Sequence, residues 1–277
     1  MHTDDPGLFG PRSVTWQLHA DPMMWIAGVR ALYLQALHPR AVRGVFQNSA
    51  AFRMSGQGRR DAWGRLMRTA DFVGTLSYGT TEAAEQAGAT VRRIHRRLSA
   101  TDPDTGERYG VDEPDLLLWV HCAEVDSYLD VLRRSGYPVG DAQADAYLRE
   151  QRASARLVGL DPAGVPGSRA ALAAYFARVR PELALTPEAR EVDGFLRRPP
   201  TPPALVPARA LLWRQRLRAT GRLLRAIPPT VRWQLPPRHI LRAVARLGPD
   251  SRPAPYKLRR SAAILDGQEG AQGELRG

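Results

Sequence analysis

Residues 82–99 run EAAEQAGATVRRIHRRLS. Ala84, Ala87, Gly88, Val91, Ile94, His95 and Leu98 recur at the spacing of one helix face, with Arg92, Arg93, Arg96 and Arg97 around it. The stretch predicts an amphipathic helix with its imidazole turned into the core. The small residues one and two turns before His95 leave room beside the ring for a flat apolar group.

The neighbouring segments follow the same pattern. Asp21-Pro22 opens a helix over Met23–Leu37, apolar on most faces and expected to be buried; it stops near His38-Pro39. Further helices are expected from Arg40 to about Phe52, over Asp61–Ser77, from Glu82 to about Ser99, and from Pro114 to about Ser135. Asp141–Val158, Ser168–Val179 and Pro187–Leu196 complete the set. Met54–Arg60 and Asp102–Tyr109 read as loops, and β alternation is hard to find. The expected fold is all-α, one mainly helical domain.

Composition narrows the function. At 43% hydrophobic residues the chain of 277 can bury a sizeable core. Its net charge of +12 is concentrated. Residues 197–260 hold sixteen basic residues and only Asp250 as an acid, whereas the rest is near neutral. Residues 1–198 are therefore read as the helical core. Residues 199–260 are read as a Pro-rich linker and basic amphipathic helices packing on that core, and residues 261–277 as a disordered tail. Over Ala204–Ala226, Arg214, Arg218, Arg222 and Arg225 oppose an apolar side, with Trp213 and Trp233 as interfacial anchors. Such a segment suits a solvated face on the core or docking on an anionic membrane surface. No nucleic-acid motif accompanies the charge, so a nucleic-acid partner is not expected. The start MHTDDPGLFG has no basic or apolar run, and Cys122 is the only cysteine. No signal peptide or disulfide is expected, and the cytoplasm is the default location.

Three histidines sit where chemistry is conceivable. His95 is either a core imidazole bonded to a carbonyl or an iron ligand, with neighbouring arginines available to haem propionates. On the preceding helix Arg65, Arg68, Thr69 and Phe72 share a stripe. It reads as a solvated face or as a polar lining for dioxygen or a carboxylate. His121 and Glu124, three apart, are either structural or one ligand pair of a carboxylate-bridged metal centre that lacks its second pair. His38 is expected to bond the carbonyls that end its helix. His2, His19 and His239 stand in unremarkable contexts. No phosphate loop, G-x-S-x-G or H-E-x-x-H occurs, so nucleotide-binding and hydrolase readings lack their residues.

The order of these features is specific. PGLFGPRS is followed by RALYLQALHPRAVRGVFQNSAAF, RLMRTADFVGTLSYGTTEAAEQAGATVRRIHRRL and YGVDEPDLLLWVHCAEVDSYL. This resembles the oxygenase family that includes the mycophenolate-pathway oxygenase MpaB and, more distantly, the latex-clearing rubber oxygenases. The resemblance covers about residues 6–240, and Arg65–His95 is its most specific part. It implies a globin-like helical core holding haem b, with His95 as the proximal ligand. Arg92, Arg96 and Phe72 are then candidates to hold the cofactor. Arg65, Arg68 and Thr69 fall on the distal R-x-x-K-T motif. Arg68 stands where the rubber oxygenases carry lysine. A guanidinium stays protonated and ligates poorly, so the implied role is a hydrogen bond to bound oxygen or substrate. The implied activity is dioxygen-dependent oxidation of a hydrophobic, isoprenoid-like substrate.

Overall fold

A computed structural model describes residues 5–49, 58–197 and 222, with residues 58–63, 66, 67 and 197 described as backbone only. The described residues form nine α-helices, two 3-10 turns (Pro162–Gly164 and Arg180–Glu182) and one small hairpin, joined by loops. The helices are α1 (Val14–His19), α2 (Met24–Gln35), α3 (Pro39–Gln47), α4 (Gly58–Tyr78), α5 (Thr81–His95), α6 (Pro114–Arg134), α7 (Asp141–Val158), α8 (Arg169–Val179) and α9 (Pro187–Arg197). Residues 199–260 and 261–277 lie outside the described residues, except Arg222, which is helical and exposed. The expected linker, basic helices and tail fall there.

The core is built around α6. Its sequence places buried residues on several faces, among them Leu116, Trp119, Cys122, Val125, Leu129 and Leu132. Pro114 at its first turn, Asp115 beside it and Arg133 and Arg134 in the last turn all match the helix's end requirements. The chief partner of α6 is α2. Met23, Ala27 and Ala31 form its buried stripe, and Trp25 on the other side is exposed, so α2 is half-buried rather than enclosed as expected. Arg30 on α2 bonds Asp126 and Ser127 and pairs with Asp130 on α6. The Trp119 indole donates to the Gln35 carbonyl at 3.1 Å.

Several boundaries differ from the sequence expectation. Helix α3 stops at Gln47 because the Asn48 amide donates to the carbonyls of Gly44 and Ser99. The His38 ring caps the start of α3 by accepting from the Ala41 N–H; it is the His38 backbone N–H, not the ring, that donates to the Gln35 carbonyl at the end of the preceding helix. Helix α5 ends at His95, four residues early, because residues 99–101 pair with 108–110 as an antiparallel hairpin. Three-residue strands are too short to show an alternation. Arg43 on α3 anchors this hairpin through Asp102 and Asp104.

Helix α5 opens with Thr80 accepting from the Ala83 N–H, as the Gly79-Thr80 pair predicts. Its small residues do not border a space for a cofactor. A Cβ at Gly88 would lie 2.6 Å from the Leu157 carbonyl oxygen of α7, and Ala84 is fully buried against Leu157 and Leu76. Ile94, placed on the inner face by periodicity, is 49% exposed. No helix among the described residues is long and apolar enough to cross a membrane.

Candidate functional site

His95 is the last residue of α5, in a turn that also carries Arg92 and Arg93. The chain leaves the helix there, with the Leu98 N–H donating to the His95 carbonyl. The ring is partly buried, and its Nδ1 is enclosed with no hydrogen-bond partner among the described residues. Burial pushes the imidazole below its ordinary pKa; the Asp112 carboxylate opposes this, and the Arg65 guanidinium adds to it. The balance of these effects favours the neutral imidazole. A neutral imidazole with an unspent ring nitrogen is the form that ligates iron. A satisfied core histidine, bonded at that nitrogen to a carbonyl, is not what the structure shows.

Arg65 stands on α4, partly buried, and burial together with neighbouring Arg68 lowers its pKa. Among the described residues no ion pair or hydrogen bond engages the Arg65, Arg68 or Arg96 guanidinium. An enclosed cation without a counter-ion is costly, and an anionic or strongly polar ligand removes that cost. Arg68 and Arg96 are exposed. Thr69 is also exposed, and its hydroxyl donates to the Arg65 carbonyl at 3.1 Å. With its proton engaged there, Thr69 has only acceptor capacity left for a ligand.

Five of the seven residues expected at the site fall into two groups. Arg65 is coupled electrostatically to His95 and to Arg68. Phe72 and Arg92 instead converge on Leu157. Phe72 packs against the Leu76, Ala84 and Leu157 cluster, and the Arg92 guanidinium donates to the Leu157 carbonyl near the end of α7. Asp112 joins the first group from the turn before α6, a placement that sequence spacing did not show.

Sequence reasoning also passed over His19. In the structure its ring links Ser77 on α4, at 2.6 Å, to the Tyr147 hydroxyl on α7, at 3.0 Å. Ser77 donates its own proton to the Val73 carbonyl, so His19 Nδ1–H donates to Ser77 and Nε2 accepts from Tyr147. Both partners are distant in sequence, and no local pattern could mark this residue. On α6, Tyr128 donates to Glu124 at 2.7 Å. Among the described residues no group of three or more His, Cys, Asp or Glu side chains is arranged to hold a metal ion, so His121 and Glu124 gain no second ligand pair.

No curated protein and no solved structure matches the chain. A family model does, over residues 16–253, described as "ER-bound oxygenase mpaB/B'/Rubber oxygenase, catalytic domain". That match begins within α1 and takes in α2 to α9, the hairpin, and every residue expected at the site. The chain therefore belongs to the mpaB and rubber oxygenase catalytic-domain family, and it is an oxygenase-family enzyme.

Proposed function

We propose that this protein is a haem b-dependent oxygenase that uses dioxygen on a hydrophobic, isoprenoid-like substrate, with His95 holding the iron. The observation that carries the reading is the His95 ring. It is partly buried and held towards its neutral form, its Nδ1 is enclosed, and among the described residues neither that nitrogen nor the neighbouring Arg65 guanidinium has a partner. A cofactor bound through one imidazole needs no cluster of metal-ligating side chains. Haem b, when bound, supplies the oxygen-binding and electron-transfer chemistry. The chain supplies the rest. Arg65 offers fixed N–H donors to negative charge, Arg68 adds positive potential from the solvent side, and Thr69 offers an acceptor oxygen. Asp112 contributes negative potential near the imidazole. Arg92 and Phe72 act by holding α5 on α7, so that His95 keeps its place. Arg96 is exposed at the helix end and would offer a cation to a propionate.

The test is an absorption spectrum of the purified protein, before and after haem b is added. The expected result is a Soret band in the wild type and none in His95→Ala of unchanged helical circular dichroism. A reconstituted wild type without a Soret band overturns the proposal.

A further inference from the structure

Helix α2 carries apolar stripes on two opposite sides. Met23, Ala27 and Leu34 pack into the core cluster that α6 dominates. On the other side Trp25, Gly28, Val29, Leu32 and Ala36 recur at helical spacing. Ala36, at one end of this second stripe, is buried against Ala189 and Val192 of α9. Towards the other end the cover gives out. Leu32 and Val29 are only partly buried, and Trp25 is 48% exposed. A Cβ at Gly28 would meet nothing within 4 Å among the described residues. A single exposed apolar residue is ordinary, but a continuous apolar stripe whose end is already packed marks an interaction surface.

The chain continues from the element that covers Ala36. Helix α9 ends at Arg197, and residues 198–203 follow as Arg-Pro-Pro-Thr-Pro-Pro. Extended at about 3.1 Å per residue, this linker spans about 19 Å. The stripe from Ala36 to Trp25 is about 17 Å long at the helical rise. Residues 204–226 therefore begin within reach of all of it. They lie outside the described residues apart from Arg222. Their spacing puts Leu205, Leu212, Ala219 and Leu223 on one side and Arg214, Arg218, Arg222 and Arg225 on the other. Arg209 and Arg216 interrupt the leucine side, where their stems can lie on apolar surface while the charges reach its edge. Arg222 is helical and exposed, as the arginine side is when the leucine side is turned inward. The family match over residues 16–253 takes α2 and this segment into one catalytic domain.

We infer that residues 204–226 dock as a helix along α2, with the leucine side on Trp25, Gly28, Val29 and Leu32, and so continue the cover that α9 begins. The leucine side is then spent inside the molecule, and the arginines alone face outward. Two other occupants fit less well. A second copy of the chain would bring two strongly basic segments together, and like charge opposes that. An anionic lipid surface would find no free cation on α2, whose single charged residue, Arg30, is paired with Asp126 and Asp130. The inference goes beyond the oxygenase reading and does not depend on haem.

The experiment uses the full chain with Trp25 replaced by the photo-crosslinking residue p-benzoylphenylalanine, an aromatic side chain at an exposed position. After irradiation, peptide mapping locates the adducts. A mixture of isotopically light and heavy chains separates adducts within one chain from adducts between chains. Residues 204–226 of the same chain should be the main partner. Leu212→Glu combined with Leu223→Glu should cut that adduct about fivefold, because unpaired carboxylates are costly to bury on an apolar stripe. Arg218→Glu, on the outward side, should leave it unchanged. Adducts chiefly to other segments or chiefly between chains overturn the inference. So do adducts chiefly to lipid when phosphatidylglycerol vesicles are supplied, an adduct that the double substitution leaves intact, or no adduct at all. If the double variant does not fold, the partner found with the unsubstituted segment decides the matter.

Discussion

Gly88 on α5 and Leu157 on α7 meet so closely that a Cβ on the glycine would stand 2.6 Å from the leucine carbonyl oxygen and 2.9 Å from its Cβ. The same carbonyl accepts from Arg92, one turn further along α5. Helix α5 is thus clamped to α7 at two successive turns, and His95 follows within the next.

Gly88→Ala is expected to destabilise the protein. Alanine gains about 1 kcal/mol of helix propensity over glycine. The clash is with backbone and with a packed Cβ, which cannot swing aside, and overpacking of this kind costs about 1–3 kcal/mol. The net loss should be about 1 kcal/mol in urea unfolding, with Gly88→Val losing more. On the proposed haem reading, both variants should also retain less haem than wild type, because the shift is passed along α5 to His95.

Arg65 and Arg92 should separate cleanly. In the reconstituted protein Arg65→Leu is expected to weaken fluoride binding about tenfold, the value of one charge-assisted hydrogen bond. Absorption titration measures this. Arg92→Leu should leave fluoride affinity unchanged and lower the unfolding midpoint instead, since its guanidinium serves the end of α7. Equal effects of the two substitutions on fluoride would contradict the division of the site described above.

Arg43 is 6% exposed and bonds Asp102 at 2.8 Å and Asp104 at 2.7 Å. Breaking a buried pair leaves an uncompensated charge. Arg43→Met should therefore cost about 3 kcal/mol of stability in urea unfolding. The hairpin it anchors connects α5 to α6, so proteolysis within residues 102–107 should also accelerate.

His19 gives stability a pH dependence of known sign. Burial pushes it down to about 3, against an ordinary 6.5 in the unfolded chain. Between those values the unfolded state binds the extra proton, so acidification favours unfolding. His19→Gln loses hydrogen bonds at pH 7 but takes up no proton. The stability gap between wild type and His19→Gln should therefore narrow as pH falls from about 6.5 towards 3. The narrowing approaches about 1.4 kcal/mol per pH unit. Taking the difference cancels the carboxylates, including Glu124, whose raised pKa acts in the opposite direction. A gap independent of pH would mean that His19 is not held neutral by burial.

Local chemistry made most of the helical framework legible. Gly79-Thr80 predicts where α5 begins, Pro114 where α6 begins, and Asp141–Val158 appears unchanged. These signals act through the nearest turns of backbone, so they are readable in one dimension. The hairpin was not legible, because strands of three residues carry no period and are held by partners such as Arg43. Periodicity also misplaced Ile94, since the last turn of α5 runs out beyond the packing surface that Gly88 and Ala84 make with α7.

The sequence by itself determined a mainly helical protein, an ordered set of motifs, and His95, Arg65, Arg68 and Thr69 as the residues to examine. It could not tell which of the site residues work together, because that depends on contacts between helices far apart in the chain. Only the tertiary structure set Arg65 and Asp112 against His95, turned Arg92 and Phe72 to Leu157, and joined His19 to Ser77 and Tyr147. The reason is physical. A helix's own spacing decides which side chains share a face, whereas burial and the charge opposite them, which set a group's protonation and its unspent hydrogen bonds, are supplied by other helices.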